Sequence, residues 1–307
     1  MMCALNSGAG LVGQELIAQL SKVQSRHHIK VVLIATSKKL IRDASGLELP
    51  LWRRAFDSSA EAYTSFDTIK SFLDSLPPET VTIFVDCTAS DEVPSHYPEI
   101  LEREINIATP NKKGLSGRYQ LLDDIQQAVE MSGAMIYFEA TVGAGLPIIS
   151  TLKDLLLTQD QVTKIEGIFS GTLSYIFNVF GSGDAKFSDV VKDAKEKGYT
   201  EPDPRDDLNG MDVARKLTIL SRVLGLEIEG PPSNDIFPIQ SLIPIELESA
   251  SSGDEFLAGL PAHDATFDEQ RAKAKREGNV LRYVGSIDVA PRKISVGIQT
   301  YKPQDPV

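Results

Sequence analysis

Gly8-Ala9-Gly10-Leu11-Val12-Gly13 sets three glycines at Gly-x-Gly-x-x-Gly spacing, and a helical pattern starts at once with Gln14. Glycine permits the tight turn that joins a strand to a helix, and it lets backbone N–H groups approach a pyrophosphate at the positive end of that helix. A bare match of this kind is weak evidence. Its surroundings strengthen it, because a helical pattern over 14–23 and a β-branched run over 31–35 follow at the intervals of a strand, helix, strand unit. The polar pair Asn6-Ser7 just ahead of the glycines predicts a short first strand, frayed at its end.

Beyond this start, the runs 81–85 and 135–138 read as further buried strands, with a short one over 105–108. Helical spacing of apolar residues over 69–76 and 121–131 separates them. Such alternation predicts an α/β fold of Rossmann type, a doubly wound parallel sheet with helices on both faces. Gly143, Gly145 and Pro147 then punctuate the chain, which places a domain boundary at 147. Domain 1–147 is expected to bind a dinucleotide. Domain 148–307 is expected to be α+β, with a strand over 165–169, helices over 173–180, 187–197 and 211–224, and antiparallel strands over 280–289 and 293–300 around a turn at Pro291. Helices should cover its sheet, and the acidic stretch 246–277 predicts a helical, solvated excursion.

Composition narrows the function. The 307 residues carry 31 Lys plus Arg against 43 Asp plus Glu, a formal net charge of −12, which argues against a broad surface for nucleic acid or anionic lipid. Cys3 and Cys87 cannot build a disulfide framework, which fits a reducing, cytoplasmic setting, and no apolar run is long enough to span a bilayer. The start Met-Met-Cys-Ala-Leu-Asn lacks the features of a signal peptide. His27, His28, His96 and His263 never fall at metal-ligand spacing.

The end of the second strand bears on cofactor choice. A carboxylate about 20 positions beyond the glycines would bind the ribose 2′-hydroxyl, but the chain reads Ala35-Thr36-Ser37-Lys38-Lys39. Hydroxyls and cations suit a 2′-phosphate, so NADP(H) is expected in preference to NAD(H). Thr88 and Lys112 follow strands at their carboxyl ends, where ligands bind in open sheets.

Residues 198–216, Gly-Tyr-Thr-Glu-Pro-Asp-Pro-Arg-Asp-Asp-Leu-Asn-Gly-Met-Asp-Val-Ala-Arg-Lys, form the densest polar stretch. Pro202 and Pro204 stiffen a loop that presents Glu201, and a helix resumes from about Asn209. Asp212 and Lys216, four apart, share a face of it. A solvated ion pair is the plain reading of that spacing. With Glu201 brought to the same helix start, the set gains a use: two carboxylates grip an amino group while the ammonium protonates a carbonyl oxygen as hydride reaches its carbon. A thiol mechanism would have to use Cys87, the one tolerable nucleophile.

The segments 166–178 (Glu-Gly-Ile-Phe-Ser-Gly-Thr-Leu-Ser-Tyr-Ile-Phe-Asn), 198–216, 109–113 (Thr-Pro-Asn-Lys-Lys) and 139–147 (Glu-Ala-Thr-Val-Gly-Ala-Gly-Leu-Pro) together closely resemble the homoserine dehydrogenase family, specifically its fungal type without a fused kinase or regulatory domain. The likeness extends over essentially the whole chain and is weakest over 25–78. It implies NAD(P)-dependent interconversion of L-aspartate 4-semialdehyde and L-homoserine, on the way to threonine and methionine. It also implies Lys216 as proton donor, Lys112 as a second essential lysine, Glu201 and Asp212 on the substrate's amino end, and Gly171 and Thr172 along its pocket. Gly8, Ala9, Gly10, Leu11, Gly13, Thr88, Lys112 and Gly198 would bind the dinucleotide. A sodium ion is implied at the Glu139 carboxylate and the carbonyls of Val142, Ala144 and Leu146, and a homodimer through the second domain's sheet. Relatives run on past the position equivalent to Tyr301, so the resemblance also implies a missing C-terminal tail, an exposed apolar patch on the first domain, and, as the alternative reading, a dinucleotide-binding pseudoenzyme.

Overall fold

The computed structural model describes residues 2–62, 65–77 and 79–305 except Gly8 and Ala9, with residues 2–7 described by backbone alone. Two compact units divide the chain, 1–148 and 149–307.

In the first unit, β1 (Met2–Ser7) leads to α1 (Leu11–His27), β2 (Ile29–Ala35), β3 (Lys39–Arg42), α2 (Trp52–Ser59), β4 (Glu61–Ala62), α3 (Asp67–Asp74) and β5 (Val81–Asp86). Then come α4 (Tyr97–Leu101), β6 (Asn106–Ala108), α5 (Lys113–Ser116), α6 (Tyr119–Ser132) and β7 (Ile136–Tyr137). The sheet order is β4-β3-β2-β1-β5-β6-β7. Strands β2, β1, β5, β6 and β7 run parallel, as the alternating pattern predicts, because Val31 to Ala35 are wholly buried and need apolar cover on both faces. Ile69, Phe72 and Leu73 of α3, with Ile125 and Ala128 of α6, supply that cover from the same core. Ile17 of α1 joins a second cluster with Val31 and Ile34.

One expectation is corrected here and another is refined. The first strand is not frayed: its backbone pairs through Ser7 with both β2 and β5, and ladder hydrogen bonds are indifferent to the polarity of Asn6 and Ser7. Nor is the sheet wholly parallel, since β3 and β4 return antiparallel at one edge after the turn at Thr36, whose backbone N–H bonds the Lys39 carbonyl at 2.8 Å. Four residues of turn leave no room for a crossover helix.

The second unit takes in α7 (Ile148–Leu157), whose first residue closes the first unit, then β8 (Lys164–Gly167), α8 (Gly171–Ser182), α9 (Phe187–Glu196), α10 (Arg205–Leu208) and α11 (Met211–Val223). It ends with α12 (Gly253–Gly259), α13 (Asp264–Arg276), β9 (Val280–Asp288) and β10 (Lys293–Tyr301). The sheet is antiparallel in the order β10-β9-β8, and Ile239 adds a bridge to Val296 on its outer edge. Val213, Leu217 and Leu220 of α11 are buried at helical spacing, each contributing about 2 kcal/mol of burial.

The stretch 246–277 is helical but not a solvated excursion. Phe256 and Leu260 are fully buried, Phe267 stacks on Phe187 at 3.9 Å between centroids, and the buried Asp264 accepts from the Ser188 N–H and hydroxyl at 2.9 and 2.7 Å. Its acidic face masks a thinner apolar one. Arg271 runs back from α13 to the carbonyls of Phe180, Gly183 and Ala185, which caps the end of α8.

Candidate active site

The first unit presents its polar groups at the carboxyl ends of β1, β5 and β6, with Ser7 and Asp86 paired in register. Gly10 caps α1 and its carbonyl accepts from the Gln14 N–H at 2.9 Å. No acidic residue occupies the first turn of α1, Leu11 is 89% exposed, and open space surrounds the position a Cβ would take on Gly10. Among the described residues, no acidic side chain opposes an anion at the positive end of this 17-residue helix. Gly13 lies buried one turn in. Gly8 and Ala9 lie outside the described residues.

Asp86 is completely buried and organises the next two loops. It accepts from the Tyr97 hydroxyl at 2.6 Å, from Asn111 Nδ2 at 2.9 Å and from the Thr88 N–H at 2.8 Å. Asn111 also donates to the Ser90 carbonyl at 2.9 Å, and the Tyr97 hydroxyl lies 3.1 Å from that of Thr109. These bonds lock the loop holding Thr88 to the loop holding Lys112, which caps α5. Lys113 turns to Asp91 at 2.6 Å. Burial and the Asp86 carboxylate together push the Cys87 thiol up to about 11, which makes it a poor thiolate nucleophile.

Past β7, Glu139 begins a short turn and the chain curls through two consecutive left-handed residues, Gly143 at φ 84° and Ala144 at φ 54°. A Cβ on Gly143 would strike Ile148. The donor types along this curl, one carboxylate and backbone carbonyls, are oxygen only.

The second unit holds the lysine. Lys216 has only 16% of its side chain exposed; its Nζ bonds Asp212 at 2.6 Å and the Phe169 carbonyl at 2.6 Å. An ammonium has three N–H groups, so among the described residues one remains for another acceptor. Thr172, in the first turn of α8, stands beside the capping Ser170, whose hydroxyl accepts from the Leu173 N–H at 3.2 Å. Its hydroxyl lies 2.6 Å from the Tyr199 carbonyl and 2.9 Å from Asp207, and Asp207 in turn accepts the Glu201 N–H at 2.8 Å.

Burial raises Asp207 above the ordinary carboxylate value of 3.8, and nearby Asp212 adds to the shift. The Thr172 hydroxyl has one proton to share between the Tyr199 carbonyl and the Asp207 carboxylate. Gly198 adopts φ 71° after α9, where the Tyr199 N–H bonds the Ala194 carbonyl at 2.9 Å. The Glu201 carboxylate is exposed and pairs with no cation among the described residues.

The structure thus joins Lys216 to Asp212 and Thr172 to the Glu201 loop. Asp207 and the Phe169 carbonyl, which the sequence did not single out, are the groups that bond Thr172, Glu201 and Lys216. Neither advertises itself: Asp207 is one of three acids in 203–207, and carbonyls leave no trace in side-chain patterns. Asp203 and Arg205, equally polar on paper, pair with each other at 2.6 Å, and Arg205 reaches the Ala250 carbonyl at 2.7 Å, so they brace a loop.

A Rossmann sheet followed by a unit with a sheltered lysine and carboxylate cluster defines a nicotinamide-dinucleotide oxidoreductase. The family model for homoserine dehydrogenase matches residues 147–307, and that for the homoserine dehydrogenase NAD-binding domain matches 8–139. The chain is 46% identical to the homoserine dehydrogenase of Schizosaccharomyces pombe over 311 residues, covering 97% of this chain and 81% of that protein. It is also 46% identical to that of Saccharomyces cerevisiae over 300 residues, covering 96% and 82%. A Candida auris protein of unknown function superposes with a TM-score of 0.89 at 43% identity, covering 99% of this chain and 85% of that one. A hyperthermophilic archaeal homoserine dehydrogenase in complex with NADPH shares the fold, with a TM-score of 0.70 at 20% identity, covering 100% and 84%. The chain belongs to the homoserine dehydrogenase family. No helix among the described residues is long and apolar enough to cross a membrane.

Proposed function

We propose that the chain interconverts L-aspartate 4-semialdehyde and L-homoserine. When bound, a nicotinamide dinucleotide supplies or takes up the hydride. Lys216 protonates the aldehyde oxygen as its carbon is reduced, and recovers that proton in the reverse direction. Asp212 and the Phe169 carbonyl hold the ammonium. Glu201 and Asp212 receive the substrate's amino end and Gly171 and Thr172 line its pocket, with Asp207 fixing the Thr172 hydroxyl and the Glu201 backbone. The observation that carries this reading is Lys216, with 16% of its side chain exposed and its ammonium held by two oxygens, leaving a third N–H without an acceptor among the described residues.

The dinucleotide is assigned to Gly8, Ala9, Gly10, Leu11 and Gly13 around its pyrophosphate, with Thr88, Lys112 and Gly198 as further contacts. NADP(H) is the preferred form, supported by exposed Lys38 and Lys39 at the end of β2 and by the absence of a carboxylate there. Sodium is assigned to the Glu139 carboxylate and the carbonyls of Val142, Ala144 and Leu146, where it would brace the turn. The remaining parts of the reading are a homodimer formed through the β8 to β10 sheet, a place in threonine and methionine biosynthesis, and a cytoplasmic setting. Domain limits of 1–147 for dinucleotide binding and 148–307 for catalysis and dimerisation complete it.

The test is Lys216→Ala. Turnover of L-homoserine with NADP, followed by cofactor absorbance, is expected to fall ~100- to 10,000-fold while NADPH affinity by fluorescence titration is unchanged. Retained turnover removes Lys216 from the proton-donor role. Running the wild type with NAD and NADP separately decides the cofactor preference.

A further inference from the structure

Gly285 lies in the interior of β9 and faces Gly167 of β8 directly in register. Its φ is not among the positive values of the chain, so the backbone does not require glycine there. A glycine in a strand interior costs ~0.5–1 kcal/mol relative to alanine. Space is the remaining reason for it.

A Cβ on Gly285 would stand 3.0 Å from Phe169 Cδ2 and 3.0 and 3.1 Å from the two Leu217 methyls, tighter than ordinary contact. At Gly167 the same addition would lie 4.0 Å from Phe169 Cε2, a normal distance. The Phe169 ring and the Leu217 side chain therefore sit against bare backbone at position 285. Phe169 carries the carbonyl that accepts from Lys216 Nζ at 2.6 Å, and Leu217 is the next residue after Lys216. Both ends of the tether on the ammonium converge on that gap.

We propose that Gly285 is a positioning residue for the reaction. Its missing side chain seats Phe169 and Leu217 so that the Phe169 carbonyl and Asp212 occupy two N–H groups of Lys216 and aim the third at the substrate oxygen. The inference rests on Lys216 being the proton donor. Proton transfer is sensitive to misplacement on the ångström scale, so a side chain that displaces Phe169 by tenths of an ångström acts on turnover before it acts on binding.

Gly285→Ala in the full chain is expected to lower kcat about tenfold, leave the KM for NADP unchanged, and raise the solvent deuterium isotope effect on kcat as proton transfer becomes limiting. Trimming the displaced ring in the double variant Gly285→Ala/Phe169→Leu is expected to restore part of the loss, a coupling that independent structural damage does not produce. Losses that simply multiply, or a wild-type kcat and isotope effect in Gly285→Ala, overturn the proposal. Should Gly285→Ala fail to fold, Phe169→Leu alone reads the same link: a lowered kcat with a raised isotope effect supports it, and wild-type values overturn it. An active Lys216→Ala enzyme would instead overturn the underlying reading, whereas an inactive one beside an unaffected Gly285→Ala enzyme overturns only the positioning role.

Discussion

Each unit contains an aspartate that ties two loops together, and the two are built differently. Asp86 is completely buried and takes three donors, from Tyr97, Asn111 and the Thr88 N–H. Asp207 is half-buried, holds the Glu201 N–H and shares the Thr172 hydroxyl with a carbonyl, and has the carboxylate of Asp212 as a neighbour. A carboxylate with its lone pairs occupied by fixed neutral donors is a strut. One that is half-exposed, with fewer donors and an acid beside it, is held less completely and keeps acceptor capacity for another group.

The sharpest way to break this contrast is to remove each carboxylate in turn. Asp207→Ala is expected to lower turnover ~100-fold, because the Glu201 loop and the Thr172 hydroxyl lose their common anchor, while chemical denaturation changes little. Asp86→Ala is expected to cost about 3 kcal/mol of stability in urea melts, since it leaves buried donors on Tyr97 and Asn111 and a cavity beside them. If Asp86→Ala proved as stable as wild type, or Asp207→Ala as active, the division between strut and working group would fail.

A gentler variant sharpens the same distinction through pH. The folded state raises the Asp207 pKa, so between 3.8 and the raised value it binds more proton than the unfolded chain, and stability falls as pH rises through that window. Asp207→Asn keeps the shape and removes the titration. It is expected to melt above wild type at neutral pH, with the advantage disappearing as the pH falls below the ordinary carboxylate range. A constant difference in melting temperature across the series would show that desolvation of Asp207 is not what separates the two chains.

Some of this was legible before any coordinates. The apolar run 31–35 and the helical spacing of Val213, Leu217 and Leu220 imposed the core, because burial of apolar area follows periodicity directly. Lys216 and Asp212 were paired by helical spacing alone. The stretch 246–277 misled because charge dominates its composition while Phe256, Leu260 and Phe267, few and widely spaced, carry its packing. The antiparallel return at β3 was missed because a four-residue turn leaves little trace beside long apolar runs.

Sequence alone determined the glycine turn, the alternating α/β order of the first half, the lysine with its helical partner and, through four motifs, the family. Those features are local, carried by spacing along one segment. Tertiary structure alone decided that Asp207 rather than Asp203 anchors the Glu201 loop, that a carbonyl 47 residues away holds Lys216, and that Gly285 leaves the room for it. Such contacts join residues that only packing brings within a few ångströms, and no periodicity in the chain encodes them.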